Sequence, residues 1–342
     1  MNTSRVQVAD GVELAVDTWA PSVAGAGAAG HPGLAGGPRA REAAGTGVGP
    51  GAGGGPGAGG GTSVSPGAGG APGAAEGPSA RADRAPFLLV HGLASNARLW
   101  DGVAQWLAAA GHPVASVDLR GHGRSAKPDG PYDVPTVADD LAALVERLGL
   151  ERPVAAGQSW GGNVVLELAA RHPDLVRGVV CVDGGWLEPS RAFPDWETCS
   201  RVLAPPRLVG RPRAEIEQRI RSAHPDWPEA GIQGALANFE VRTDGTVAPW
   251  LTYERHMAVL RGLWEYHPSA RYRELEVPVL LLPVDGGRVQ SIESKRREVD
   301  AALVAIRSAR VHWFSGDHDI HAQRPAEVAG VMHDATTDGF FT

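Results

Sequence analysis

Val154-Ala155-Ala156-Gly157-Gln158-Ser159-Trp160-Gly161-Gly162-Asn163 is the stretch that decides the fold. A short apolar run, Val154 to Ala156, reads as a buried strand, and the residues from Gly161 to Arg171 have the spacing of a helix. Between them stands G-x-S-x-G, the pattern of a sharp strand-to-helix turn that lifts a serine hydroxyl above a sheet. Glycines on either side let the backbone turn tightly and let strand and helix approach without Cβ clashes. The helix N-terminus behind Ser159 favours negative charge developing there. Outward from this turn the same rhythm repeats. Phe87 to Val90, Val114 to Val117, Gly178 to Val182, Val277 to Leu282 and Ala309 to Phe314 read as further buried strands. Ala97 to Ala110, Val137 to Leu148, Ile292 to Ile306 and Pro325 to His333 read as helices between them. Strands and helices alternating with short links imply a parallel sheet covered on both faces.

Two segments break the rhythm. Nearly half of the 46 glycines fall between Ser22 and Pro86, in a tract of Gly, Ala and Pro almost without large apolar side chains. Such a tract cannot offset its ordering entropy by burial and is expected to be disordered. It is no phosphate loop, lacking a preceding apolar strand and a following GK[ST]. Before it, Val6, Val8, Val12, Leu14 and Val16 alternate around Asp10-Gly11, the pattern of a hairpin. From about Gly184 to Leu275 helical stretches occur without a core strand. Five of the ten tryptophans lie there, so the segment reads as an inserted aromatic-rich helical cap.

With 32 basic and 39 acidic residues the net charge is −7, and no long run of either sign occurs. That balance argues against nucleic acid or an anionic membrane surface as the main partner. The two cysteines, Cys181 and Cys199, make no disulfide framework, and Cys181 in its apolar run reads as a buried thiol. No stretch approaches the roughly 18 apolar residues of a membrane span. No secretory signal follows Met1, so a soluble, cytoplasmic protein is expected.

An exposed serine is a poor nucleophile until a base takes its proton. Of the twelve histidines, His318 stands just past the last strand and before the last helix, where the loops of a parallel sheet assemble a site. His321, three residues on, is the runner-up. A carbonyl attacked by Ser159 becomes an oxyanion that two backbone N–H groups must meet. Leu93, in His91-Gly92-Leu93 just after the first parallel strand, and Trp160, just after the serine, are placed to supply them. His91 reads as a structural imidazole near that loop.

His91-Gly92-Leu93, Asp118 to Ser125 (DLRGHGRS), Gly157 to Gly161 and Asp317-His318 resemble, in order and spacing, the α/β-hydrolase superfamily. The resemblance covers everything except the Gly/Ala/Pro tract and, loosely, the cap. It implies an eight-stranded, mostly parallel sheet, a cap after the sixth strand, a Ser…acid…His chain order and no cofactor or metal. It also makes Asp118 to Ser125 a turn near the site, with His122 and Arg124 structural. The implied organisation is a hairpin over 1–21, the insertion over 22–86, hydrolase core over 87–183, cap over 184–275 and core again over 276–342. The acid departs from the pattern. In most relatives it stands after the seventh strand, at a position corresponding here to Gly287, with Asp285 two residues earlier. The other location in the superfamily is the end of the sixth strand, where this chain has Asp183. Asp183 is favoured over Asp285; either would fix the imidazole's tautomer.

The expected function is a serine hydrolase that acylates Ser159 and acts on a small-molecule, partly apolar ester or related acyl compound. A C–C bond hydrolase, a lactonase, a cofactor-free haloperoxidase-like enzyme and a non-catalytic hydrolase-like receptor are the alternatives. Haloalkane dehalogenase and epoxide hydrolase chemistry would need an Asp where Ser159 stands.

Overall fold

A computed structural model describes residues 1–22, 84–286 and 291–342. The expected disorder of the Gly/Ala/Pro tract, apart from its first and last residues, lies outside the described residues, as does Gly287. Among those described, eight strands form the main sheet: β1 (Asn2–Ala9), β2 (Val12–Trp19), β3 (Phe87–Val90), β4 (Val114–Asp118), β5 (Val154–Gln158), β6 (Gly178–Val182), β9 (Val279–Leu282) and β10 (Ala309–Val311). Their order across it is β1-β2-β4-β3-β5-β6-β9-β10. β1 and β2 pair antiparallel, and β2 runs antiparallel to β4; every other neighbouring pair is parallel. This is the α/β-hydrolase fold.

Period-two alternation sorts the strand side chains between two cores. Phe87, Leu89, Ala156, Val180 and Leu282 face one way, against α1 (Asp101–Ala109) and α11 (Pro325–Thr337). Their neighbours Leu88, Val90, Ala155, Val179 and Leu281 join the opposite cluster with α2 (Val134–Leu148) and α3 (Trp160–Arg171). Strands buried on both faces need helices on both, which explains their unbroken apolar runs.

The interval from Gly184 to Leu275 holds α4 (Pro189–Ala192), α5 (Trp196–Val202), α6 (Arg213–Ala223), α7 (Glu229–Leu236) and α8 (Tyr253–Glu265). It also holds a small antiparallel pair, β7 (Phe239–Val241) with β8 (Val247–Pro249), turned by Asp244-Gly245. Ile216, Trp227, Ile232 and Val247 form a third cluster that closes on Leu99 and Ala322 of the main body. At the other end of the interval, Arg271 grips the fully buried Glu167 of α3 at 2.9 and 3.0 Å. α9 (Ile292–Ala305), capped by the Ser291 hydroxyl, and the short α10 (Ile320–Gln323) complete the chain.

Candidate active site

Ser159 sits between β5 and α3 with φ 54° and ψ −122°, a conformation that costs a non-glycine residue about 1–3 kcal/mol. The surroundings enforce it. A Cβ on Gly161 would fall 2.5 Å from the His91 carbonyl oxygen, and one on Gly157 would collide with the Gly161 carbonyl. The Ser159 amide donates to the Val182 carbonyl at 2.9 Å, tying the turn to the end of β6. Its flanking residues Gln158 and Trp160 are buried, whereas Ser159 itself is partly open.

Asp183 follows β6, also at positive φ (42°), and its carboxylate is only 3% exposed. His318 Nδ1 donates to Asp183 Oδ2 at 2.6 Å. A carboxylate can only accept, so the Nδ1 proton is fixed there and Nε2 is left as the basic nitrogen. The Val284 amide donates to Oδ1 at 3.2 Å. Lys295 of α9 places its ammonium 2.8 and 3.0 Å from the two carboxylate oxygens. Gln158, next to the serine, donates from Nε2 to the His318 carbonyl at 3.2 Å and so binds the imidazole's loop to the strand-to-helix turn. Burial works against an imidazolium at His318, but the Asp183 hydrogen bond and the charges of Asp319 and Asp183 outweigh it, and Lys295 opposes them. The net displacement of the His318 pKa is upward.

The loop after β3 is pinned by two buried imidazoles. His91 Nε2 accepts the Leu119 amide at 3.0 Å while Nδ1 donates to the Gly92 carbonyl at 2.7 Å. His122 Nε2 accepts the Ala94 amide at 3.4 Å while Nδ1 donates to the Arg120 carbonyl at 2.9 Å. Burial lowers both, His91 to about 4, so each stays neutral and can accept. The His122 ring stacks on Trp160, centroids 5.6 Å apart. Between these anchors, the Leu93 amide donates to no protein acceptor among the described residues. The Trp160 amide opens α3, where the first N–H groups lack intrahelical partners. Arg124, itself half-buried, spans the buried carboxylates of Asp118 at 2.9 Å and Asp17 at 2.6 Å, which makes the Asp118–Ser125 turn an ionic brace.

The structure thus brings Asp183 and His318 together and leaves Asp285 apart. Asp285 is exposed and accepts from the Ser315 hydroxyl at 2.5 Å. His321 is fully buried against Trp100, centroids 4.3 Å apart, and burial lowers its pKa to about 3. Sequence reasoning missed Lys295. The signal was composition: only Lys127 and Lys295 are lysines among 32 basic residues. It also missed Asn163, whose Oδ1 accepts the Gly185 amide at 3.1 Å and whose Nδ2 donates to the Leu187 carbonyl at 2.7 Å. Asn163 holds the chain as it leaves Asp183.

A cavity of about 710 Å³ opens beside the Ala94-Ser95 loop, walled mainly by Leu208, Phe239, Trp250 and Leu251 of the inserted interval. Arg207 and Arg242 also line it. So do the buried Ser95 and His256, whose Oγ and Nε2 have no hydrogen-bond partner among the described residues.

A strained serine on a strand-to-helix turn of this sheet, with an Asp–His pair beyond later strands, defines an α/β-hydrolase, and the chain belongs to that superfamily. A family model described as alpha/beta hydrolase fold matches residues 85–222. The chain is 28% identical over 226 residues to 2-(acetamidomethylene)succinate hydrolase of Mesorhizobium japonicum, covering 65% of this chain and 80% of that one. It is 30% identical over 263 residues to Protein ABHD8 of Homo sapiens, covering 75% of this chain but only 55% of that protein. The crystal structure of E-2-(acetamidomethylene)succinate hydrolase superposes with a TM-score of 0.66 at 19% identity, covering 99% of both chains. No helix among the described residues is long and apolar enough to cross a membrane.

Proposed function

We propose that the chain is a serine hydrolase that cleaves a carboxylic ester or related acyl bond through an acyl-enzyme on Ser159. The observation that carries this reading is the 2.6 Å bond from His318 Nδ1 to Asp183, on a loop tied to the residue before the strained serine. With Nδ1 protonated, His318 Nε2 takes the Ser159 proton as Oγ attacks the substrate carbonyl. The oxyanion forms against the Leu93 and Trp160 amides, at the positive end of α3. Collapse expels the leaving group, which receives its proton from His318. The same imidazole then deprotonates the water that hydrolyses the acyl-enzyme. Asp183 is the acid in this scheme, and Asp285 a surface turn residue.

The interval 184–275 acts as the cap, and the cavity beneath it takes a small substrate. Its aromatic and aliphatic wall suits an apolar group. Arg207 and Arg242 favour a second reading, an amide substrate carrying a carboxylate, in line with the similarity to hydrolases of 2-(acetamidomethylene)succinate. A panel of chromogenic esters of graded acyl length, beside lactones, β-diketones and N-acyl amino-dicarboxylates, tests both. Ester turnover absent from Ser159→Ala supports the first reading, and turnover confined to carboxylate-bearing amides supports the second. Turnover undiminished in Ser159→Ala would overturn both.

A further inference from the structure

Lys295 is the buried charge that this chemistry leaves unused. It projects from α9, its side chain is 7% exposed, and 112 residues separate it from Asp183. Its ammonium meets four oxygens: both of Asp183 at 2.8 and 3.0 Å, the Val284 carbonyl at 3.0 Å and the Gly286 carbonyl at 3.3 Å. A compact ammonium with rotatable protons serves oxygens converging on one point, which the planar fork of arginine does not. The chain supplies lysine here although almost all its other basic residues are arginine. The second lysine, Lys127, is used the same way, on the Gly123 and Ser125 carbonyls at 2.7 and 2.9 Å.

We infer that Lys295 is a positioning residue of the catalytic triad, fixing the Asp183 carboxylate and offsetting part of its charge toward His318. The inference rests on the serine-hydrolase reading of the site. A bare buried carboxylate would hold the imidazolium strongly and leave little free base near neutral pH. An ammonium against both oxygens of that carboxylate stabilises the pair in which Asp183 is charged and His318 neutral, the form that attacks. The other groups around the imidazole are Asp319 beside it, the buried His321 of α10, and Asp317, which is occupied by His224 at 3.0 Å and Trp227 at 2.9 Å. Of these groups, Lys295 alone touches the carboxylate that orients His318.

The test compares wild type, Lys295→Met and Lys295→Arg in two ways. One is the pH dependence of kcat/KM; the other is a histidine ¹⁵N NMR titration of His318, which needs no substrate. Removing the cation is expected to move the acidic limb and the His318 titration upward by on the order of one pH unit. Lys295→Arg is expected to keep the limb near its wild-type position while lowering kcat, because the charge stays and the geometry changes. A limb and titration in Lys295→Met that superimpose on wild type would overturn the assignment. So would equal shifts in both variants, or failure of both to fold, each of which makes Lys295 a packing residue. A wild type inert toward every acyl substrate would instead count against the hydrolase reading, and the NMR titration would still decide the role of Lys295.

Discussion

Asp183→Asn changes one atom in the scheme. The carboxamide it introduces would keep an oxygen for the Val284 amide and for Lys295, since both donate to Oδ1 of Asp183. The remaining atom, now an NH₂, would face His318 Nδ1 where a carboxylate oxygen accepts at 2.6 Å, and would lose that oxygen's second contact, to Lys295 at 3.0 Å. Two donors cannot share that contact, so the ring must place its proton on Nε2 and accept at Nδ1. A protonated Nε2 cannot take the serine proton. The same change in a serine-protease triad costs about 10⁴ in kcat, equivalent to roughly 5.4 kcal/mol of transition-state stabilisation at about 1.36 kcal/mol per tenfold. Asp285→Asn leaves an exposed side chain that still accepts from Ser315, and should cost no more than a few-fold. The assay is kcat/KM on the best chromogenic ester, with thermal melts to show both variants folded. A folded Asp183→Asn protein keeping a tenth of wild-type activity, or an Asp285→Asn loss exceeding it, would refute the reasoning.

A base at His318 must be neutral to take the serine proton, so the rate should fall as pH drops, and the upward displacement of His318 puts that fall above the ordinary value of about 6.5. A kcat/KM profile whose acidic limb lies below that value would contradict it. Arg120 and Asp140 pair with both side chains buried, at 2.5 and 2.6 Å, so Asp140→Ala strands a guanidinium and should cost about 3–5 kcal/mol. A calorimetric Tm drop of about 6–20 °C is expected, at roughly 2–4 °C per kcal/mol for a domain of this size. Replacing residues 23–83 by a short Gly-Ser link should leave a folded, active protein. The Ser22 amide bonds the Ala108 carbonyl at 2.9 Å and the Arg84 side chain lies against Gly111, so both ends of the excision meet at the end of α1. Lengthening such a connection costs only about 0.6 kcal/mol per doubling. Insoluble expression of the shortened chain would show that the tract is structural.

The sheet was legible because its strands are buried on both faces and read as apolar runs between helical spacings. Strand limits were less so. Pro278 donates no amide, and β9 begins after it at Val279; β10 ends at Val311, and Phe314 makes only an isolated bridge to Val284. The β7–β8 pair gives little periodic signal because its strands are three residues long, though Asp244-Gly245 marks its turn. Trp186 falls by position within the aromatic insertion but is buried in the main core with Val164 and Cys181. At the site, Ser159, Leu93 and Trp160 are local features of strand-end turns and could be placed from spacing. The choice between Asp183 and Asp285 could not, since it depends on which carboxylate the fold turns toward His318. Lys295 reaches Asp183 from 112 residues away, a contact set by packing of α9 alone.

Peptide mapping by mass spectrometry, after brief incubation with a fluorophosphonate at pH 8, tests the central claim most directly. One adduct is expected, on the peptide carrying Ser159, absent from Ser159→Ala and much slower to form in Asp183→Asn. An adduct on another residue, or equal labelling of the wild-type and Asp183→Asn proteins, would contradict it.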